Sequence, residues 1–448
     1  MRYSIRGAAL AAGACLATAV VPAVATAKPK PTSGGGTASK AFVVCKHGCR
    51  YTTIQRAVNA SGKGATIQIK PGTYSEGVIV QGHKHDGLTI EGIGKTPSAV
   101  YLNGTNARVQ GNPAQNAIEG DNVNNLSIEN MKEEHYAANG FFIKGSNEKH
   151  PCRGYLMKNL IAGFDHAYGM YVFECVGGRM TQSTGYGNGD SGFYIGGTPF
   201  QKKPVWSSVD HDTAYENVLG YSGTNSKYVK ITNGMFYNNG AGVVPNTLAS
   251  EPFEPATDGI IANNKIFWNN FDYYLPGSPV KTVSSGLASI GGVTANYPIG
   301  AGILLFGTTG WVAKNNQIFG NWLWGAGAFS NPLTDANAIN NGNRFINNQM
   351  GDNGKDLNGT DFFNDGSGKG TCFQGNGSHP TLVASSTAPN NVLYPNCPST
   401  AGTGSVTGDA TQQSLLISIA TANPPATMNR FWTRHPQIKI NGIKPIGG

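Results

Sequence analysis

The sequence is poor in charged residues and in long apolar or amphipathic segments. Charged residues make up 13% of the 448 residues, and no apolar stretch beyond Val24 is long enough to span a membrane. Helical and leucine-rich repeats need long amphipathic segments, so their absence excludes those repeat folds. The net charge is +8, but no compact basic cluster or nucleic-acid reader motif accompanies it, which argues against nucleic-acid binding.

The middle of the chain instead repeats a short phrase with asparagine at both ends. The two asparagines stand five positions apart, and an apolar residue follows the first by two positions. Short apolar runs broken by glycine and asparagine accompany the copies, a pattern that predicts short parallel strands stacked as coils. The clearest copies are Asn233–Asn238, Asn264–Asn269, Asn316–Asn321 and Asn343–Asn348. Weaker copies begin at Asn130, Asn159, Gln182 and Asp212, with His135, Phe164, Gly187 and Asn217 in the second position.

The repeat predicts an all-β chain folded as a single-stranded right-handed parallel β-helix. Stacked coils place equivalent residues one strand spacing apart, about 4.8 Å, where asparagine side chains can bond to the next coil. The 62 glycines suit the corners of such a solenoid. We expect one column made of Asn233, Asn264, Asn316 and Asn343.

The two ends of the chain differ from the repeated part. Arg2 and Arg6 precede an apolar run that ends in the small-residue cleavage site Ala25-Thr-Ala27, a pattern typical of a secretory signal peptide. We therefore expect a secreted, extracellular protein. The predicted order is a signal peptide over residues 1–27, a flexible linker over 28–40, the β-helix with its N-terminal helical cap over 41–375, and a C-terminal cap or tail over 376–448.

Six cysteines remain after removal of the signal peptide, an even number that fits disulfides in an oxidising compartment. The middle pair would join neighbouring coils. A zinc site that includes His47 is the competing interpretation of the first pair, but no second Cys/His pair follows at finger spacing. The pairs suggested by sequence proximity are Cys45–Cys49, Cys152–Cys175 and Cys372–Cys397.

A short helix is predicted at the start of the solenoid, where an open end needs a cap. The segment that begins at Thr52 offers a threonine N-cap, followed by Ile54, Ala57 and Val58 on one helical face.

Three segments at this end are similar to the opening of pectate-lyase-like right-handed β-helix proteins, which carry PbH1 repeats. They are Tyr51-Thr-Thr-Ile-Gln-Arg-Ala-Val58, Pro71-Gly-Thr-Tyr-Ser-Glu76 and Leu88-Thr-Ile-Glu-Gly92. The resemblance extends from about residue 41 to 372 and implies this fold and a polysaccharide ligand. The motifs of pectinesterases and polygalacturonases are missing, so the resemblance implies no single reaction.

The coils before Asn233 lose the regular asparagine pattern and gain charged residues. Local rules tend to fail at functional sites, so we expect a groove on the flank of these coils. Carboxyl groups and histidines suit acid–base catalysis, and basic residues suit an acidic ligand. The candidates for catalysis are Asp190, His166, Arg179, Asp212 and His211, and the candidates for substrate binding are Lys202, Lys203, Tyr194 and Trp206.

Oxygen-bearing side chains in the same coils suggest a Ca²⁺ site. Asp165 and Asn188 each stand four residues before a corner glycine, so stacking would make them neighbours, and Asp210 could join them. A structural role stays open for the acidic residues, because aspartate can replace asparagine in a ladder and can fix a turn.

These residues and the positive net charge predict a protein that binds and cleaves an acidic, uronate-containing polysaccharide. The expected reaction is β-elimination or hydrolysis, which makes the protein a polysaccharide lyase or a glycoside hydrolase. The alternative is a non-catalytic solenoid that binds polysaccharide or forms part of an extracellular matrix. We expect a monomer.

Overall fold

The computed structural model describes residues 42–147, 149–280, 288–290, 293–330, 338–352, 354–377, 394–399, 408–422 and 435–444. The predicted signal peptide and linker lie outside these residues. The described chain winds into a right-handed parallel β-helix, as the repeat predicts. A typical coil contributes three short strands, and each pairs in parallel with its equivalent in the next coil.

The three strands of successive coils stack into three faces. The first face contains Phe42–Val44, Thr66–Ile69, Thr89–Gly92, Leu126–Glu134, Tyr155–Gly163, Gly178–Thr181, Ser207–Asp210, Val229–Thr232, Ile260–Ala262, Val312–Lys314, Arg344–Ile346 and Cys372–Gln374. The second face contains Gly72–Tyr74, Val100–Asn103, Thr184–Tyr186, Thr213–Tyr215, Met235–Tyr237, Lys265–Phe267, Gln317–Phe319 and Gln349–Met350. The third face contains Val78–Gln81, Asn116–Asp121, Asn139–Lys144, Met170–Phe173, Ser191–Gly196, Leu219–Thr224, Ala241–Asn246, Ala301–Phe306, Trp324–Phe329 and Thr360–Asn364.

The corner between the first two faces is shallow, because Leu126–Glu134 and Tyr155–Gly163 run through it as continuous strands. We call this the first corner and the turn between the second and third faces the second corner. Short two-stranded pairings outside the faces join Arg108–Val109 to Asn112–Pro113, Cys152–Arg153 to Cys175–Val176, and Ala288–Ile290 to Val293–Ala295.

The interior is filled by apolar side chains that stack in register along the helix axis. Each such side chain contributes about 1.5–3 kcal/mol by its removal from water. The column beneath the first face contains Ile67, Ile90, Ile128, Met157, Met180, Val209, Ile231 and Ile261, each at most 1% exposed.

Helix Ile54–Ala60 covers the N-terminal end of the solenoid. The Thr53 side chain accepts a hydrogen bond from the Arg56 amide, and Ile54, Ala57 and Val58 are buried, which confirms the predicted N-cap and apolar face. The Glu76 carboxylate also accepts hydrogen bonds from the first turn of the helix, from the Ile54 amide at 2.9 Å and the Gln55 amide at 3.1 Å. Two 3₁₀ turns, His83–His85 and Pro97–Ala99, follow in the first coils.

The C-terminal part of the described chain packs along the solenoid. Helix Ala410–Ala420 lies on the outer side of the third face, where the Trp324 indole donates to Gln412 Oε1 at 2.6 Å and Ile419 is buried. Residues 435–444 pack on the aromatic cluster Phe267, Trp268 and Phe319. Neither α-helix among the described residues is long and apolar enough to cross a membrane.

An asparagine ladder lines the first corner, but its register differs from the predicted column. Each Nδ2 donates to Oδ1 of the next member at 2.9–3.0 Å, and the members are Asn264, Asn316, Asn348 and Asn376. The predicted inclusion of Asn233 and Asn343 is wrong. Asn233 occupies the preceding left-handed turn position, with φ of 57°, in line with Asn263. Asn343 precedes its strand and accepts a hydrogen bond from the Trp311 amide.

A second ladder lines the second corner and explains a column of glycines. Its members are Asp165, Asn188, Asn217, Asn239, Asn269, Asn321 and Asn358. A Cβ atom at Gly242 would lie 2.5 Å from the Gly302 carbonyl oxygen and 2.9 Å from Asn269 Nδ2. Several strands of the third face therefore have glycine as their second residue, where the ladder amides approach the backbone.

The three predicted disulfides are present, Cys45–Cys49, Cys152–Cys175 and Cys372–Cys397. The middle bond joins adjacent coils across the short pairing that contains both cysteines. Because Cys45 and Cys49 are bonded to each other, they leave no thiolates to bind zinc, and that alternative is wrong.

Candidate functional site

The outer side of the third face is partly exposed over its early strands and covered further along. Phe142, Tyr171 and Phe173 are half-buried on strands Asn139–Lys144 and Met170–Phe173. From Tyr194 onward, at 1% exposure, the equivalent side chains are buried beneath loops and the C-terminal helix. The early part of this face is therefore a surface with a wall at one end.

An aromatic platform occupies this surface. Parallel pairing places Phe142 directly beside Tyr171, and their rings stack with centroids 4.4 Å apart. Tyr168, in the second corner, lies 4.6 Å from Tyr171, and Phe173 lies 5.9 Å from it. Aromatic rings at a partly wet surface combine a large apolar contact area with a polar edge. We refer to Phe142, Tyr168, Tyr171 and Phe173 as the platform.

Asp190 lies at the end of the platform, in the second corner. Its backbone amide donates to the Ala167 carbonyl oxygen at 2.8 Å, which ties this corner to the preceding coil. Burial raises the pKa of Asp190 to about 7, and a hydrogen bond with Tyr168 opposes that rise. Its Oδ1 atom is buried without a hydrogen-bond partner. An uncompensated carboxyl oxygen is costly to bury, which makes Asp190 a candidate functional residue.

Glu251 forms the wall of the same surface. It belongs to the loop that follows strand Ala241–Asn246, and it accepts a hydrogen bond from the Tyr194 hydroxyl at 2.6 Å. Burial raises the pKa of Glu251 to about 7; the Tyr194 hydrogen bond lowers it, and the charge of Asp190 raises it. Tyr194 is itself 4.8 Å from both Tyr168 and Tyr171, so the two acids flank one tyrosine cluster.

This arrangement provides proton donors and acceptors near neutral pH. Two interacting carboxyl groups with pKa values near 7 can supply one protonated and one ionised member, the requirement for general acid–base chemistry. Burial and nearby acids hold the pKa values of Tyr168 and Tyr194 well above their usual range, so both hydroxyls remain proton donors.

A cavity of about 550 Å³ opens at the second corner beside this cluster. His166 is exposed and Asp165 is buried in its wall, together with the ring of Phe164. The His135 and Phe164 rings stack 5.4 Å apart. A volume in this range is typical of small-molecule sites. The full lining is His135, Tyr136, Phe164, Asp165, His166, Gly187, Gly189, Pro279 and Val280.

Asp165 has a buried acidic neighbour, Glu133, on the strand of the preceding coil. Asp165 Oδ1 accepts from the Tyr136 amide at 2.9 Å, and its own amide donates to Asn188 Oδ1 at 3.1 Å. Burial raises the pKa of both carboxyls, and the charge of Asp165 raises the pKa of Glu133 further. Their surroundings therefore favour the protonated form of each carboxyl group over the charged form.

The structure does not bring the three predicted Ca²⁺ ligands, Asp165, Asn188 and Asp210, together. Asp165 and Asn188 are neighbours in the second-corner ladder, as predicted, and the Asn188 side chain is used by that ladder: its Oδ1 accepts from the Asp165 amide and its Nδ2 donates to Asn217. Asp210 lies at the first corner, where burial raises its pKa but hydrogen bonds led by Asn233 and Thr232 hold the net value at about 2. Among the described residues, no group of three or more His, Cys, Asp or Glu side chains is placed to hold a metal.

Three other predicted residues, Arg179, His211 and Asp212, lie away from the platform, near the first corner. Arg179 contacts Asp210 at 2.5 Å and His211 contacts it at 3.1 Å, and both cation-forming side chains are more than half exposed. Asp212 is 1% exposed and accepts hydrogen bonds from the Ser183 and Asp210 amides. The strand ends at Asp210, and His211 adopts a left-handed turn, so strand alternation does not extend to Asp212.

The predicted substrate-binding residues are also separated from one another. Tyr194 is too buried to offer a ring face and instead holds Glu251. Trp206 packs edge-on against Tyr228 and beneath the Lys230 ammonium, on the first face. Lys202 and Lys203 are exposed on the loop that connects the third face to the next coil.

Sequence reasoning missed Glu251 and the platform residues Phe142 and Tyr171. Glu251 comes from a loop more than fifty positions after Tyr194, and nothing in its local sequence marks it. The alternation of Phe142 and Tyr171 with buried Phe141 and Met170 was the available signal, because it predicts that one side of these strands faces outward.

No family model and no curated protein matches this chain. Among solved structures, the A-module of the Azotobacter vinelandii mannuronan C-5 epimerase AlgE4 is 13% identical, with a TM-score of 0.47 over 72% of this chain and 90% of that chain. The complex of XylC with xylose is 10% identical, with a TM-score of 0.49 over 76% of each chain. A rhamnogalacturonan lyase is 13% identical, with a TM-score of 0.40 over 77% and 85%. At these identities the similarity concerns the fold and says nothing of the reaction.

Proposed function

We propose that this protein binds a polysaccharide along the platform and modifies it with Asp190 and Glu251 as acid and base. The observation that carries the proposal is the pair of carboxyl groups, both with pKa values of about 7, at the walled end of an exposed aromatic surface. The half-buried rings of Phe142 and Tyr171 offer apolar contact to sugar rings, and Glu251 is partly exposed beside them.

We further propose that the bound polysaccharide is acidic and that the protein cleaves it by β-elimination or hydrolysis. In β-elimination, an ionised carboxylate removes the proton beside the uronate carboxyl group, and a tyrosine hydroxyl or the second, protonated acid donates a proton to the departing oxygen. In hydrolysis, one carboxyl group protonates the departing oxygen and the other activates water or attacks the sugar carbon. The net charge of +8 and the exposed Lys202 and Lys203 support an acidic ligand.

The charge of Lys144, which lies beside the platform, bears on the choice between these reactions. Lys144 lies 5.6 Å from the Phe142 ring centroid and forms an ion pair with Glu119 at 3.1 Å. β-Elimination needs the uronate charge to be neutralised, and Lys144 is a cation next to the platform rings. A uronate that displaces Glu119 from Lys144 would therefore favour elimination, whereas a neutral sugar would leave the pair intact.

The test is incubation of the mature protein with a panel of uronate polymers and neutral glucans. Unsaturated ends indicate elimination, and new reducing ends without unsaturation indicate hydrolysis. Tyr171→Ala should weaken retention on the affinity gel of the preferred polymer by about 1–3 kcal/mol, as removal of a stacking ring does. Retention without any product would favour a non-catalytic binding protein. The absence of both retention and product would overturn the proposal.

A further inference from the structure

Lys227 is a buried lysine that has no role in the chemistry described above. It is 2% exposed, and its ammonium group donates to the carbonyl oxygens of Phe253, Pro255 at 2.7 Å and Asn225 at 3.4 Å. The Phe200 ring lies 4.6 Å from the nitrogen on another side. Burying a charged amine is costly unless its donors are satisfied, and here three carbonyl oxygens and one aromatic face satisfy them.

The neighbouring residue Asn225 gathers the rest of the same loop. Its Nδ2 donates to the carbonyl oxygens of Leu248 at 2.9 Å, Glu251 at 2.8 Å and Pro252 at 3.1 Å. Its Oδ1 accepts from the Leu248 amide at 3.1 Å. Asn225 and Lys227 thus collect five carbonyl groups of residues 248–255 around two side chains of the preceding coil.

These contacts do more than close a turn, because the loop carries Glu251. Residues 248–255 contain no helix or strand; one backbone hydrogen bond, from the Glu251 amide to the Leu248 carbonyl oxygen at 3.3 Å, closes a turn, and the side-chain contacts add to it. Burial lowers the pKa of Lys227 to about 8, so the amine is still charged at neutral pH. Carbonyl oxygens that converge on one point repel each other unless a cation or donor lies between them.

We propose that Lys227 is a positioning residue whose ammonium group acts as an internal cation, gathering the loop carbonyls and thereby holding Glu251 against Tyr194. The functional part of this inference rests on the proposed role of Glu251. A loop held in this way keeps its carboxyl group in one place on the platform wall before any ligand binds, which lowers the ordering cost of the reaction.

The test uses Lys227→Ala, which leaves space for a small amine, and Lys227→Met, which fills the space without a charge. Lys230→Met is the matched control, because Lys230 is an exposed lysine on the next strand. Hydrogen exchange of residues 248–255 should accelerate in both Lys227 variants and remain unchanged in the control. Propylammonium should restore protection to Lys227→Ala, whereas the neutral analogue 1-propanol should not.

On the preferred polymer, both Lys227 variants should lower kcat by about 10²-fold, the effect expected from a misplaced catalytic group, with KM nearly unchanged. Unchanged exchange in residues 248–255, or equal rescue by propanol, would overturn the proposal that the Lys227 ammonium group orders this loop. Faster exchange with unchanged turnover would overturn the positioning role. If Glu251→Gln retains full turnover, the proposed function fails instead, and hydrogen exchange still decides whether Lys227 orders the loop.

Discussion

Replacement of Asn269 by alanine should be among the most destabilising changes in the second-corner ladder. The side chain is fully buried and takes part in four hydrogen bonds. It donates to the Phe236 carbonyl oxygen and to Asn321 Oδ1, both at 3.1 Å. It accepts from the Asn239 amide at 3.2 Å and from Asn239 Nδ2 at 3.0 Å. At about 1 kcal/mol for each bond, the free energy of unfolding should fall by about 4 kcal/mol.

The matched control is Asn263, an exposed asparagine with φ of 60° in the left-handed turn before the first-corner ladder. Asn263→Ala should cost only about 1–2 kcal/mol, the penalty of a left-handed backbone, and Asn263→Gly should cost almost nothing. Urea titrations followed by circular dichroism measure the free energy of unfolding of all three variants. If Asn269→Ala costs no more than Asn263→Ala, the ladder does not stabilise the corner and this reasoning is refuted.

Three further predictions concern packing, titration and crosslinks. Gly242→Ala should lower the free energy of unfolding by about 1–3 kcal/mol, because its Cβ would collide with the Gly302 carbonyl oxygen. Urea titration measures this change, and wild-type stability would contradict the close approach of the two strands at Gly242. Burial raises the pKa of Asp190 to about 7, so the folded chain retains a proton that the unfolded chain releases near pH 4. Stability should therefore fall as pH rises from about 4 to 7, and Asp190→Asn should reduce that fall; identical profiles would count against it. Peptide mapping without reduction should find Cys152 joined to Cys175. Free thiols at both positions would show that this disulfide does not form.

The fold was predictable because its signals are local and repeated. Each coil carries its own apolar strands, corner glycines and asparagines, so a copy that is weak does not hide the others. The ladder register was not predictable from the same signal. Asparagine is favoured both in the left-handed turn, as at Asn233 and Asn263, and in the ladder one residue later, as at Asn264. A five-residue spacing fits either position, and only strand pairing separates them.

The candidate site was only partly predictable. Loss of the asparagine pattern directed attention to Asp165, His166 and Asp190, which the structure places at the second corner. The same signal also selected Asp212, whose buried carboxyl group receives two backbone hydrogen bonds at the first corner. Glu251 was missed because its position depends on contacts made by its loop with Asn225 and Lys227, which no local pattern encodes.

The most direct test of the central claim is the rate of product formation by Glu251→Gln and Asp190→Asn on the polymer that wild-type protein modifies. Glu216→Gln serves as the control, because Glu216 is a half-buried glutamate at the second corner with a left-handed backbone. The account predicts that both site variants lose about 10²-fold or more in kcat, the usual contribution of general acid–base catalysis, while polymer binding and the control remain near wild type. Wild-type rates in both site variants would contradict it.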